Sequence, residues 1–312
     1  MKRRIAEFEM ENEILKKSYR HIHKKTIEEI VTFIVRFKSL YTVKLICKAL
    51  HFPRSTYYKA LLVVPSKRQV AADRLKAEIK KIWLESKARY GAPKIHKVLL
   101  SKGEKVSLKR IQRYMKDMKI QSIVVKKFRY HSQKVACYEK ENILNRDFST
   151  TSINQKWCTD ITYISTAKEG WTYLASVMDL HSKKIIGYAY DTSITAKLAV
   201  KAVENACLNV KSTKGIIIHS DLGIQYTSQK FEAFVEANQM IHSFSRKGNP
   251  YDNACIESFH SLLKKEEVNH QKYPDFNTAR KAVFEYIESW YNRKRIHSAI
   301  SYMTPQAAHE AT

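Results

Sequence analysis

Residues 157–164 read W-C-T-D-I-T-Y-I, an apolar and β-prone run with a single acid, Asp160, at its centre. The run is predicted as a strand over residues 157–165, and an ionised side chain in such a run is costly unless something nearby compensates it. The texture of this stretch continues outward from it. Further strands are expected at 172–178, 184–190, 215–219 and 241–245, with helices at 195–210, 228–238, about 253–268 and 277–291. Three consecutive strands, then helix, strand, helix, strand and helix describe a mixed five-stranded α/β sheet covered by helices.

The whole chain has 312 residues, 44% of them hydrophobic and 11% aromatic, which is enough for several cores and excludes both disorder and a disulfide miniature. Five cysteines (Cys47, Cys137, Cys158, Cys207, Cys255) form no C-x-x-C pair, so they read as reduced thiols. No apolar run reaches the roughly 18 residues of a membrane span, and Met1 to Arg4 is basic with no apolar stretch behind it. The expectation is a soluble protein that stays in the cytoplasm.

Charge is unevenly distributed. The 56 Lys and Arg against 30 Asp and Glu leave +26, and residues 1–150 hold 37 of the bases and 14 of the acids. A positive field so concentrated attracts polyanions, and phosphate neutralisation is the main source of sequence-independent affinity for DNA or RNA. The same front half is predicted helical. Ile5, Phe8, Asn12, Leu15, Tyr19 and Ile22 alternate in steps of three and four, the a/d pattern of a two-stranded coiled coil with Asn12 at an a position. Residues 1–26 are therefore expected to be a dimerisation helix; an amphipathic helix packed on its own domain has the same pattern.

Residues 27–65 read as a helix-turn-helix unit. A helix over 42–50 is followed by a second, capped by Ser55 or Thr56, with Arg54, Ser55, Thr56, Tyr57 and Lys59 at its leading end facing DNA. Residues 66–120 repeat the scheme, with helices at 73–87, 93–101 and from Ser107. The last buries Leu108, Ile111, Tyr114 and Met115 and exposes Lys109, Arg110, Arg113 and Lys116 toward nucleic acid. A structural bundle with solvated lysines is the alternative reading of both units. Residues 121–150, with Lys126, Lys127, Arg129 and Lys134, read as a basic linker before a core at 151–312.

Three acids stand out in that core. Asp160 interrupts a strand, Asp221 follows the buried strand I-I-I-H-S, and Glu257 opens a helix after the turn G-N-P-Y-D-N. Each alone has an ordinary explanation as a cap or a dipole partner. Together they are three hard oxygen ligands, the set that holds divalent cations for in-line phosphoryl displacement. Lys264, two helical turns beyond Glu257, would point at the same phosphate, and Arg246, Lys247 and Asn249 in the preceding loop are candidate DNA contacts. No G-x-x-x-x-G-K-[ST] loop, H-E-x-x-H or nucleophile elbow is present. The histidines lack zinc-ligand spacing, so no structural zinc is expected.

W-C-T-D-I-T-Y-I around Asp160, H-S-D-L-G-I-Q-Y around Asp221 and N-P-Y-D-N-A-C-I-E-S-F-H-S-L-L-K around Glu257 resemble the DDE transposases of bacterial insertion sequences, specifically the insertion sequence 3 family. The 35 residues between Asp221 and Glu257, the tail W-Y-N-R-K-R-I-H-S-A-I-S-Y-M-T-P and the upstream R-Y-G-A-P-K-I and L-N-R-D-F segments fit the same pattern. The resemblance implies an RNase H-like, retroviral-integrase-type core. It also implies Asp160, Asp221 and Glu257 as catalytic metal ligands for two Mg²⁺ or Mn²⁺ ions, and cleavage and strand transfer at the ends of the element. Partners implied are double-stranded DNA, as terminal repeats and target, at least one further copy of the chain, and a first-reading-frame product whose zipper the N-terminal heptads would continue; a nucleoid location follows. A non-catalytic regulator derived from such an enzyme, or a hydrolytic RNase H-like nuclease, would share many of these features.

Overall fold

The structure is a computed structural model that describes residues 2–21, 26–62, 66–124 and 140–311. The expected basic stretch from Lys126 to Lys134, Ile22 of the heptad pattern and Cys137 lie outside these residues. Two compact units are present, Met1–Ala77 and Glu78–Thr312. Among the described residues no helix is long and apolar enough to cross a membrane.

The first unit is helical: α1 (Lys2–His21), α2 (Ile27–Phe37), α3 (Val43–Ala49) and α4 (Arg54–Leu61). Thr26 and Thr42 cap α2 and α3 through their side-chain oxygens. Phe33, Ile34, Ile46, Cys47 and Tyr57 form its core, and α1 contributes Ile14. The heptad positions turn the other way: Ile5, Phe8 and Tyr19 are 54%, 61% and 83% exposed, Asn12 is exposed and Leu15 half-buried. Two expectations for α4 are corrected. Pro53, not Ser55 or Thr56, occupies the N-cap, because its fixed φ of −63° suits the entry to the helix. Tyr57, placed above among DNA-facing residues, is buried at 2% exposure and belongs to the core, while Arg54, Ser55 and Lys59 are exposed and Thr56 half-buried.

The second unit joins α6 (Ala92–Ser101) and α7 (Leu108–Asp117) to the sheet, with α5 (Lys67–Glu85) crossing the division between units. Ser107 caps α7 as expected, and Ile111, Tyr114 and Met115 are its buried side. The sheet has the order β3-β2-β1-β4-β5, from β1 (Lys156–Thr166), β2 (Gly170–Asp179), β3 (Ile185–Asp191), β4 (Ile217–Ser220) and β5 (Ile241–Phe244). β1, β2 and β3 are antiparallel, and β4 and β5 run parallel to β1. Side chains alternate across it. Trp157, Val177 and Ile218 pack with α8 (Ala196–Cys207) and α9 (Gln229–Ala237) on one face. The other face of β1 and β2 receives α10 (Ala254–Glu266). Part of the expected linker is in fact built into this unit. Glu141 accepts the backbone N–H of Phe244, and buried Leu144 donates its own to Ser243, so the L-N-R-D-F segment extends the β5 edge.

The C-terminal end of α10 is tied down by α11 (Phe276–Phe284), the π-helical turns Glu285–Asn292 that follow it, and the tail. Glu266, 3% exposed, takes hydrogen bonds from Arg295, from Tyr286 Oη and from Trp290 Nε1, the last two at 3.0 Å. Burial would raise its pKa, yet the Arg295 guanidinium and these donors hold it below the usual range. Arg89 reaches the same corner. Its Nε donates to the Glu266 carbonyl, its Nη2 to Glu267 at 2.6 Å, and its guanidinium stacks on Tyr286 and Trp290. Tyr90 follows, donating its hydroxyl to the Lys294 carbonyl and accepting from the Ile296 N–H. The R-Y-G-A-P and W-Y-N-R-K-R-I-H motifs therefore meet, fastening the second helical unit onto the sheet's helices. Replacing Glu266 by Gln leaves the buried Arg295 charge uncompensated and should cost about 3–5 kcal/mol, read as a lowered thermal or urea midpoint of the full chain.

Candidate active site

Register decides which acids meet. Cys158 on β1 pairs with His219 on β4, so Asp160 and Asp221, each two residues further along parallel chains, arrive at the same level. Asp221 lies just past the end of β4, where its Oδ1 accepts the Gly223 N–H at 2.9 Å. A Cβ at position 223 would crowd that same oxygen, which is why the tight turn after the strand needs glycine. Glu257 is in the first turn of α10, over the same face.

The electrostatics record the convergence. Asp221 is pushed up to about 6, first by burial among protein atoms and then by the Asp160 charge, even though its edge stays open to solvent. Glu257 is pushed up to about 7 by burial, Asp160 and Asp221. Lys264 is half-buried; burial lowers its pKa and Asp160 opposes this, which places the ammonium in the field of the acids. Asp160 is thus the shared neighbour whose charge Asp221, Glu257 and Lys264 all feel. Among the described residues no three His, Cys, Asp or Glu side chains are drawn together as a ready-made ion cage. The fit to a cation is one of chemistry: hard, mutually repelling carboxylates that a divalent ion would neutralise.

Several residues that position these acids lie within the quoted motifs, which gave no sign of their partners. Asp252 is fully buried and accepts from the Arg146 side chain at 2.6 Å, from the Arg246 backbone and guanidinium, and from Asn142. Burial alone would raise its pKa, but the arginine hydrogen bonds take it well below the usual carboxylate range. Asn253 next to it donates to the Thr159 carbonyl, one residue before Asp160, at 3.1 Å. On the far side of β1, the Tyr226 hydroxyl meets Thr159 Oγ1 at 3.1 Å. His260, 5% exposed, has Nδ1 3.3 Å from Asp160 Oδ2 and Nε2 3.3 Å from Ser176 Oγ. A lone Asp, Asn, Tyr or His in a motif is silent about its partner, so these contacts required the folded chain.

Arg246 is occupied with Asp252, which makes it a clamp of the loop first of all, while Lys247 is exposed and Asn249 half-buried. His219 bonds Ser243 and Ser245, each at 2.9 Å, in an interior network. On α7, Lys109 and Arg113 are exposed, and Arg110 donates to the Tyr114 hydroxyl.

Replacing Asp252 by Asn should lower stability by about 2–3 kcal/mol, the scale of charge-assisted hydrogen bonds to a buried acceptor. A carboxylate depressed in the fold contributes fully above its unfolded pKa of about 3.9 and loses that contribution as the pH falls below it, because the unfolded chain takes the proton first. Melting curves from pH 5 to pH 2 should therefore fall more steeply for the parent than for D252N; parallel curves would contradict the assignment.

Models described as an integrase core domain match residues 151–250 and 238–305, and one described as an HTH-like domain matches residues 71–128. The chain is 38% identical over 243 residues to the transposase for insertion sequence element IS904 of Lactococcus lactis subsp. lactis (strain IL1403), covering 78% of this chain and 96% of that protein. It is 34% identical over 281 residues to transposase InsF for insertion sequence IS3A of Escherichia coli (strain K12), covering 88% and 96%. The HTLV-2 integrase catalytic core domain in complex with magnesium is 20% identical, aligned over 52% of this chain and 99% of that one with a TM-score of 0.39. A mixed five-stranded sheet joined to a helix-turn-helix-like unit thus coincides with similarity to insertion-sequence transposases along most of the chain, and the protein belongs to the IS3 family of insertion-sequence transposases.

Proposed function

We propose that Asp160, Asp221 and Glu257 carry out metal-dependent cleavage at the ends of an insertion sequence and the strand transfer that follows. What supports this most directly is the register that levels Asp160 with Asp221, with Glu257 in the first turn of the helix that packs on β1, and the Asp160 charge raising the pKa of both other acids. Two Mg²⁺ or Mn²⁺ ions held by them would supply Lewis-acid activation of the attacking oxygen and stabilisation of the departing one. In the first step water attacks a phosphodiester and frees a 3′-OH. In the second that 3′-OH attacks another phosphodiester; one P–O bond forms as one breaks, so no nucleotide cofactor is consumed. Lys264 holds a phosphate oxygen beside Asp160, and Lys247 and Asn249 extend the contact outward.

Double-stranded DNA is the substrate, gripped by cationic faces of helices that precede the sheet in the sequence. Arg54, Ser55, Thr56 and Lys59 on α4 and Lys109, Arg110 and Arg113 on α7 are the assigned contacts. Two ends processed together need two active sites, so the chain acts as at least a dimer on DNA. The α1 stripe of exposed Ile5, Phe8 and Asn12 with half-buried Leu15 is the pairing surface for a second copy or for the first-frame product. The work takes place at the nucleoid.

D160A, D221A and E257A should each lower Mg²⁺-dependent cleavage and joining by roughly 10³-fold or more, with affinity for end DNA nearly unchanged. An oligonucleotide that already carries the free 3′-OH separates the readings. Joined product supports the transferase, cutting without joining indicates a hydrolytic nuclease, and binding with neither indicates a regulator. Undiminished cleavage by D160A would overturn the assignment.

A further inference from the structure

We propose that His260 is a positioning residue for the Asp160 carboxylate, with Ser176 fixing the imidazole ring. The inference rests on the reading of Asp160 as a metal-holding acid. Asp160 and Ser176 are directly opposed in the antiparallel pairing of β1 with β2, so both side chains stand on one face of the sheet. α10 lies over that face, and Glu257, His260 and Lys264, at spacings of three and four, share one of its sides. The His260 ring spans the cross-strand pair. Nδ1 is 3.3 Å from Asp160 Oδ2 and Nε2 is 3.3 Å from Ser176 Oγ.

A carboxylate has only acceptors to offer, so the nitrogen facing Asp160 is the one that bears hydrogen. Ser176, fully buried, faces the other nitrogen and prevents the ring from flipping. The second Asp160 oxygen, Oδ1, accepts the Ile161 N–H at 2.8 Å. Both oxygens are thereby addressed from the protein side, one by the backbone and one by His260. This sets the carboxylate plane before any ion arrives. Outer groups that orient ligands in this way are typically worth about 10–100-fold in metal affinity or activity.

The test uses the full chain and four variants. H260F keeps a ring of similar bulk without the nitrogen, H260N returns an N–H donor near the Nδ1 position, S176A frees the ring, and D160A is the benchmark. Mn²⁺ alone is titrated by calorimetry without DNA, and end cleavage is followed against Mg²⁺ concentration. For H260F we expect Mn²⁺ binding weakened and the half-maximal Mg²⁺ concentration raised, both by roughly 10–100-fold, with DNA affinity unchanged. H260N should recover most of the loss, and S176A should lose several-fold.

H260F that binds Mn²⁺ and responds to Mg²⁺ like the parent overturns the proposal. So does a loss that H260N fails to recover and that follows the melting temperature instead. The two levels of inference separate cleanly. If D160A is inactive while H260F is unaffected, only the role of His260 falls; if D160A behaves like the parent, the reading of the three acids falls and this one with it.

Discussion

A glutamate on a helix can serve two aspartates on a sheet only if the helix cannot slide, and buried carboxylates flank α10 at both ends. Before its first turn, Asp252 gathers Arg146, Arg246 and Asn142, and Asn253 ties the backbone to Thr159. In its last turn, Glu266 takes Arg295, Tyr286 and Trp290. Phe259 and Leu263 fill the space between them with buried apolar area. Hydrogen bonds to buried charge are directional and cannot be traded for neighbouring contacts, whereas apolar packing tolerates small shifts. The ends therefore set where Glu257 stands, and the apolar middle supplies adhesion.

Within that rigid frame the acids repel one another. Asp221 and Glu257 are raised by burial and by their acidic neighbours, and among the described residues neither has an ion pair. Folding brings them together at a cost that apolar packing elsewhere offsets, a pattern expected where a site is built for a ligand of opposite charge. Lys264 and His260 approach Asp160 from α10, so the helix that carries the third acid also carries the groups that address the first. One element delivers three roles because residues three, four and seven apart share a face.

The alternation of apolar residues around Asp160 was legible as a strand, and the order of strands and helices was enough for a mixed sheet. The three acids stood out as candidates through the motifs around them. α4 was misread at Tyr57 because a helix beginning at Arg54 turns that side chain inward, and a one-residue shift in helix start rotates every side chain by about 100°. The L-N-R-D-F segment looked like linker since its anchoring is nonlocal: Leu144 and Arg146 find Ser243 and Asp252 about a hundred residues away. The heptad stripe of α1 was legible as a pattern, and its Ile5, Phe8, Asn12 and Tyr19 are exposed while Ile14 turns into the core.

Local chemistry is written in the order of residues: which runs alternate, where charge accumulates, and which acids interrupt apolar stretches. By itself the sequence determined the classes of element and the basic front half, and it singled out the three acids as candidates. Tertiary structure alone decided the register that levels Asp160 with Asp221, the clamps on α10, and the meeting of His260 with Asp160 and Ser176. The reason is physical. A hydrogen bond between residues 84 or 106 positions apart leaves no periodicity in the chain, and it exists only once the backbone has brought both partners to one place.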